Sequence, residues 1–301
     1  MKKKITGMEL FEKGDQVFAP CVYDCMSARA AEMSGFPCMM LSGGAIAYSM
    51  DGQPDMAFGT LDEVIKIVES ITNCTDIPLL VDFDDGYGES PAVIYRNVKR
   101  LIRAGAAGFT LDDSTGYRGF ERNEYYAANP QEENPALKDP SYKTIDREKW
   151  LTKIKAAVAA CEGTGCVCIA RTEAGPSYGM DEAITRCVLA KKLGAPMTTV
   201  CGGMNDLAMG TRVAEKDLGW KMWPDVIVVN GKPCVELEDI KKLGFNFVTM
   251  HVFEKSALYG MIKYGMQNFA NKDVVYSTEH AMGGRTLEEQ KKIMSMTREK
   301  E

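Results

Sequence analysis

The sequence predicts an α/β fold, a (β/α)8 TIM barrel, in a single domain spanning residues 1–301. Three observations predict it. Short β-type runs alternate with longer helical patterns, eight times over, in about 250 residues, the usual size of such a barrel. The runs are continuously apolar, as strands covered on both faces are. Polar and charged residues gather just after the runs, where a barrel builds its active site. A doubly wound sheet is the competing arrangement, but no G-x-G-x-x-G follows any strand, and there is no Walker A loop and no interdomain linker.

The elements follow in order. A first strand, 17–22, ends at Tyr23-Asp24, and a helical pattern over 26–33 closes at Ser34-Gly35. The second strand, 38–41, runs into Ser42-Gly43-Gly44. Thr60 caps a helix reaching residue 72, with Glu63 completing a capping box. The third strand, 77–83, ends in Asp84-Asp85-Gly86, and a helix over 91–104 is stopped by Gly105. The fourth strand, 107–111, ends at Asp112-Asp113. Asp146 caps a helix to residue 160, and the fifth strand, 167–170, ends at Arg171-Thr172-Glu173. A helix over 181–193 stops at Gly194, and the sixth strand, 197–200, opens into Cys201-Gly202-Gly203. A helix over 205–216 precedes the seventh strand, 226–229, which ends at Asn230-Gly231. A helix over 235–243, an eighth strand over 247–250 ending at His251, and a helix over 254–264 complete the pattern. Residues 269–301 read as a polar C-terminal extension.

Composition narrows the partners. The formal net charge of -6 argues against nucleic acid and against an anionic membrane surface, since both need a basic face. A small anionic substrate stays open, because a metal or a few local cations can hold one on an acidic protein. No apolar run reaches the ~20 residues of a membrane span. No apolar stretch of ~7–15 residues follows the basic start MKKKITGMEL, so the expected location is cytoplasmic. The 10 cysteines include no C-x-x-C pair and read as reduced core thiols.

The residues after the strands carry the chemistry. They are Asp24, Ser42, Asp82, Asp84, Asp85, Asp112, Asp113, Arg171, Glu173, Asn230 and His251. Asp82 and Asp84 are two apart, so on an extended strand they face one side. With Asp112 on the neighbouring strand they make three carboxylates on one rim, which repel unless they share a cation. All-oxygen donors suit Mg2+ or Mn2+. Taken singly, each aspartate reads as a turn or helix cap, and Asp85 and Asp113 fit that role better. Ser42-Gly43-Gly44 is a small open turn whose amides and hydroxyl suit a carboxylate or phosphate. Arg171 suits a bidentate carboxylate or an ion pair with Glu173 or a nearby aspartate. No Ser/His/Asp constellation points to a hydrolase triad.

These residues, in this order, resemble the isocitrate lyase / phosphoenolpyruvate mutase superfamily from about Val17 to Tyr264. The resemblance rests on Tyr23-Asp24-x-x-Ser27-Ala28, Ser42-Gly43-Gly44, Pro54-Asp55, Asp82-x-Asp84-x-Gly86-Tyr87-Gly88, Ala104-Gly105-Ala106-Ala107-Gly108 ahead of Asp112-Asp113, and Ala170-Arg171-Thr172-Glu173-Ala174. It implies a (β/α)8 barrel whose last helix is exchanged between paired subunits, in a dimer of dimers, a homotetramer. It implies Mg2+-dependent chemistry through a pyruvate enolate. Tyr23, Ser42, Gly43 and Gly44 would then hold the oxo-acid carboxylate. Asp82 would ligate the metal directly, with Asp55, Asp84 and Asp112 acting mostly through water. Arg171 would hold the leaving part of the substrate, and Tyr23, Asp55 and Arg171 form the catalytic set, with Asn230 added to the substrate-binding one.

Three departures from the family pattern stand out. Asp112-Asp113 replaces the usual Glu-Asp, so the side chain is one methylene shorter. The Lys-Lys/Arg-Cys-Gly-His loop, whose cysteine is the acid of the isocitrate and methylisocitrate lyases, is replaced by 114–122, STGYRGFER. Cys201-Gly202-Gly203 stands where a glutamate is expected, and Asn-x-x-Glu is shortened to Asn230-Gly231-Lys232-Pro233. The segment 114–144 is expected to be a long active-site loop whose Tyr117, Arg118, Arg122, Tyr125 and Tyr126 close on an anion. The leading expectation is a Mg2+-dependent lyase or decarboxylase on a small 2-oxo or 2-hydroxy dicarboxylic acid. A C–P bond enzyme and a non-catalytic assembly subunit on the same barrel are the alternatives.

Overall fold

In the computed structural model, eight parallel strands close into a barrel. β1 (Val17–Val22), β2 (Met39–Leu41), β3 (Leu79–Asp82), β4 (Gly108–Leu111), β5 (Val167–Thr172), β6 (Met197–Val200) and β7 (Trp220–Trp223) pair each with the next. A two-residue pair, β8 (Val228–Val229) and β9 (Lys232–Pro233), stands apart as an antiparallel hairpin. β10 (Phe247–Met250) then closes the ring between β7 and β1. The structure describes residues 4–53, 55, 59–115, 144–202, 204 and 206–272. The (β/α)8 expectation is met, with one correction. The seventh barrel strand is Trp220–Trp223, not 226–229. Met222 and Trp223 pair with Phe247 and Val248 in the ring, whereas Val228 and Val229 pair only with each other's hairpin partners, Pro233 and Lys232.

Side-chain alternation sorts each strand into an inside and an outside. Val17, Ala19 and Cys21 of β1 share one buried cluster with Met40, Leu80, Ile169, Met197 and Phe247. The next inward positions beyond that cluster are Tyr23, Ser42, Asp82, Asp84, Arg171, Glu173, Thr199 and Cys201. The barrel therefore turns from apolar to charged at the C-terminal strand ends and in the turns just beyond them.

Helix starts are set by side-chain caps that satisfy the first amides. α1 (Gly7–Phe11) begins in a Thr6–Glu9 capping box. Its Leu10 and Phe11 join the interior cluster, and the Phe11 ring lies 5.6 Å from that of Trp220 and 5.4 Å from that of Phe247. Burial of these two side chains contributes roughly 1.5–3 kcal/mol each. Gly7 is obligatory, since a Cβ there would stand 2.0 Å from the Ala107 carbonyl oxygen. α2 (Cys25–Met33) is capped by Asp24 and α3 (Gly43–Ile46) by Ser42, and a π-helical turn follows over Ala47–Asp51. α4 (Leu61–Cys74) has the expected Thr60–Glu63 box and buries Val64, Ile65, Val68 and Ile71 as one stripe. α5 (Pro91–Arg103), α6 (Arg147–Cys161), α7 (Ala174–Tyr178), α8 (Met180–Lys192), α9 (Leu207–Ala214) and α10 (Leu237–Lys242) complete the unit that carries the barrel.

The chain divides into two compact units, 1–251 and 252–301, where a single domain over 1–301 was expected. The described part of the second is α11 (Phe253–Asn271), a helix with no buried residue, which is why it separates. Among the described residues no helix is long and apolar enough to cross a membrane. The expected active-site loop lies outside the described residues over 116–143, as does the extension beyond 272. Its two ends are described: Ser114 bridges Thr144, and the Ile145 amide donates to the Asp113 carbonyl at 2.7 Å.

Candidate active site

Asp82 and Asp84 converge on Gly43. A Cβ built at Gly43 would lie 3.5 Å from Asp82 Oδ2 and 3.7 Å from both carboxylate oxygens of Asp84. Asp82 Oδ1 accepts from Thr110 Oγ1 at 3.0 Å and from the Arg171 guanidinium at 3.1 Å. Arg171 also holds Glu173 through Nε at 2.8 Å and NH2 at 2.6 Å. The arginine thus ties the ends of β3 and β5 together, the ion-pair reading of that residue. Cys201 completes this side of the mouth. Burial pushes its thiol well above the ordinary value, opposed by Arg171 and helped by the Glu173 carboxylate to which it hydrogen-bonds, so it stays protonated.

The turn after β3 is held under strain. Asp84 and Tyr87 have φ of 43° and 56°, left-handed values that are costly for residues other than glycine. Three contacts fix the turn: the Tyr87 amide donates to Asp85 Oδ1 at 2.9 Å, and Asn97 Nδ2 donates to the carbonyls of Gly86 at 3.0 Å and Tyr87 at 3.1 Å. The result aims the Tyr87 hydroxyl at Asp84 Oδ2, 3.1 Å away. Burial and the neighbouring Asp84, Asp82 and Asp85 push the Tyr87 pKa well up, so it stays a donor.

Asp112 and Asp113 point opposite ways, as adjacent residues on extended backbone do. The Asp112 amide donates to the Asp84 carbonyl at 2.8 Å, and its Oδ1 accepts from the Ser114 amide at 3.0 Å and hydroxyl at 2.7 Å. Among the described residues no three acidic, histidine or cysteine side chains close on one point. The three carboxylates expected to converge are therefore a pair, Asp82 and Asp84, with Asp112 beside it. Asp113 turns outward and is a structural clamp. It accepts from the Glu173 amide at 2.7 Å, the Thr172 hydroxyl at 2.5 Å and the buried Arg186 at 2.9 Å. Asp85 pairs with the buried Lys153 at 3.4 Å.

The remaining residues fall into place unevenly. Ser42 is buried, and its hydroxyl accepts from the Ala45 amide at 3.2 Å as the cap of α3. Gly43 and Gly44 open that helix, where backbone amides lack intrahelical carbonyls. Asp55 packs on Gly44: a Cβ there would meet its Cβ and Cγ at 3.1 Å and its Oδ2 at 3.2 Å. Tyr23 is half-buried at the end of β1, its amide donating to Ser27 Oγ at 3.0 Å. Asp24 is spent capping α2. Asn230 is a correction: it lies exposed in the turn of the β8–β9 hairpin, with φ 51° beside Gly231 at 78°, and not at a barrel-strand end. Its assignment to the substrate rested on taking 226–229 as the seventh barrel strand. Sequence reasoning missed Thr110, Arg186 and the approach of Cys21 Sγ to His251 Nε2 at 3.5 Å. Inward parity on β1 and β4 was the available signal for Cys21 and Thr110; Arg186, in mid-helix, gave none.

Comparison with known proteins fits this geometry. A family model described as phosphoenolpyruvate phosphomutase matches residues 8–270. The chain belongs to the phosphoenolpyruvate mutase/isocitrate lyase superfamily. It is 34% identical to 2-methylisocitrate lyase of Escherichia coli (strain K12) over 170 residues, 56% of this chain and 52% of that protein. It is 30% identical to oxaloacetate decarboxylase of Paraburkholderia xenovorans (strain LB400) over 178 residues, 59% of this chain and 54% of that protein. The chain thus matches about half the length of these curated relatives. Oxaloacetate acetylhydrolase in complex with the inhibitor 3,3-difluorooxalacetate superposes with a TM-score of 0.78 at 26% identity, covering 98% of this chain and 94% of that one. Phosphonopyruvate hydrolase in complex with oxalate and Mg2+ shares the fold, with a TM-score of 0.76 at 19% identity, covering 97% of this chain and 95% of that one.

Proposed function

We propose that the chain is a Mg2+-dependent lyase or decarboxylase that acts on a small 2-oxo or 2-hydroxy dicarboxylic acid and releases pyruvate, through the pyruvate enolate where the substrate is the 2-oxo acid. The observation that carries this reading is the convergence of Asp82 and Asp84 on Gly43, beside Arg171. Among the described residues, Asp82, Asp112 and Glu173 surround the Arg171 guanidinium at this mouth, with Asp84 beside Asp82. A dicarboxylate would be repelled from it unless a divalent cation entered too. The donor set fits Mg2+ or Mn2+, which bind through one or two carboxylates and keep several waters. Asp82 would ligate directly, with Asp84 and Asp112 acting through water. When bound, the ion supplies a Lewis acid that polarises the substrate carbonyl.

The chain's own residues bind and orient. The Gly43 and Gly44 amides, with Tyr23 and Ser42, hold the oxo-acid carboxylate, and Asp55 sets the backbone of Gly44. Arg171 faces the second carboxylate while staying paired with Glu173. The relatives named 2-methylisocitrate lyase and oxaloacetate decarboxylase support an acid of this size. The exposed apolar side chains of α11, among them Leu258, Met261, Met266 and Phe269, support assembly with further copies of the chain.

The test is pyruvate release from oxaloacetate, 2,3-dimethylmalate and phosphonopyruvate, each with Mg2+ and with EDTA. Mg2+-dependent release from a dicarboxylate is expected. Release from phosphonopyruvate alone would move the assignment to C–P chemistry, and no release from any of them would overturn it.

A further inference from the structure

Breaking the C3–C4 bond of a 2-oxo acid such as oxaloacetate leaves the pyruvate enolate, and pyruvate is complete only when its C3 carbon takes a proton. No cysteine lies between Cys74 and Cys161, so the sequence has no loop thiol to give that proton. Two donors at the mouth are already committed: the Tyr87 hydroxyl to Asp84 and the Cys201 thiol to Glu173.

A third stands on the opposite wall. Pro20 of β1 pairs with Met250 of β10, so Cys21 and His251 are the next neighbours across that ladder. Cys21 Sγ lies 3.5 Å from His251 Nε2. Cys21 is buried at 2% exposure, and His251 is half-buried. The register fixes their height. In a barrel of this shear, each strand step at constant height climbs about one residue past the hydrogen-bonded partner. Cys21 pairs with Met40 and Met40 with Leu80, so the residue level with Cys21 on β3 is Asp82. Leu80 pairs with Gly108 and Gly108 with Val167, so the level residue on β5 is Arg171. The direct contact of Asp82 with Arg171 bears this layer out. The thiol therefore sits in the floor of the proposed site, with the imidazole one step nearer the opening.

We propose that His251 is the acid that protonates the enolate carbon, and that Cys21 positions and recharges it. The thiol donates to Nε2, which places the ring hydrogen on Nδ1. The enolate electron pair takes the Nδ1 proton to form the C3–H bond, while the thiol proton passes to Nε2. As the product leaves, the Nε2 proton returns to the thiolate and water reprotonates Nδ1, which restores the starting pair. Imidazole suits the step because one ring nitrogen can give up a proton while the other takes one.

This inference rests on the lyase reading above, and the experiment separates the two. Wild type, Cys21→Ser and His251→Gln are incubated with pyruvate and Mg2+ in D2O, and loss of the methyl proton signal is followed by NMR. Pyruvate release from the dicarboxylate that wild type cleaves is followed in parallel. Oxalate-induced thermal shifts report that the fold and binding site survive. The expected result is methyl exchange slowed about 10²-fold in both variants, with the oxalate shift kept. Full exchange in either variant with an intact oxalate shift overturns the role of the pair but leaves the lyase reading standing. A wild type that neither exchanges pyruvate nor releases it overturns both.

Discussion

A methyl group added at residue 43 would stand 3.5 Å from Asp82 Oδ2, an ordinary contact that the fold tolerates. It would also occupy the space on which both carboxylates converge. Gly43→Ala is expected to melt within about 1 kcal/mol of wild type yet to lose the thermal shift given by Mg2+ with oxalate; a retained shift would show that the ligands bind elsewhere. Asp82→Ala is expected to abolish Mg2+-dependent pyruvate release, and full metal-dependent activity in that variant would remove Asp82 as the ligand. Asp113 gives a prediction in pH. Burial pushes it up to about 6, although the Glu173 amide, the Thr172 hydroxyl and Arg186 pull the other way. Its folded pKa lies above the unfolded one, so its contribution to stability is full below about pH 3.8 and is lost as pH rises through 6. Melting curves in EDTA from pH 4 to 7 should show wild type losing on the order of 2–3 kcal/mol against Asp113→Asn across that window. Parallel curves would remove the assignment. At this scale the sequence was legible in part: Asp82 and Asp84 both approach Gly43, but the strand ends at Asp82 and a left-handed turn, not strand alternation, brings Asp84 there. It was opaque where a partner comes from far away, as Arg186 reaches Asp113 across 73 positions.

Among the elements, the alternation of strand and helix was readable because parallel strands buried on both faces are apolar throughout. Seven barrel strands appear where those runs lie. The seventh in chain order does not, and the reason is local. Trp220-Lys221-Met222-Trp223 carries a lysine in its middle and ends at Pro224, so it reads weakly beside Val226-Ile227-Val228-Val229. Yet Met222 and Trp223 are buried, while Ile227 and Val228 are 44% and 61% exposed. The stronger apolar run makes the hairpin, turned by Asn230-Gly231 with both residues at positive φ, the pattern such two-residue turns require. Asn230→Ala should cost about 1–2 kcal/mol of hairpin stability, measurable by thermal unfolding, with kcat/KM for the cleaved acid unchanged. A large fall in kcat/KM would bring the hairpin back to the substrate. α1 was missed although its Thr6-Gly7-Met8-Glu9 start held a capping box, because a five-residue helix shows too little periodicity to register.

For the whole molecule, the proposed assembly turns on the second unit. α11 leaves Tyr259, Met261, Met266 and Phe269 each at least 66% exposed, more apolar surface than a helix keeps in water without a partner. Met261→Glu with Phe269→Glu should lower the mass measured by light scattering relative to wild type; an unchanged mass would place the contact elsewhere. In the barrel unit, the short N-terminal helix has a consequence of another kind. Leu10 and Phe11 stopper the end of the barrel opposite the charged mouth, with the buried apolar cluster packed in between. Among the described residues the site is a cul-de-sac that opens at the charged mouth. On the proposed function, metal, acid and the fragments of a cleaved substrate would share that opening, so a slowly leaving fragment would hold back the next turnover.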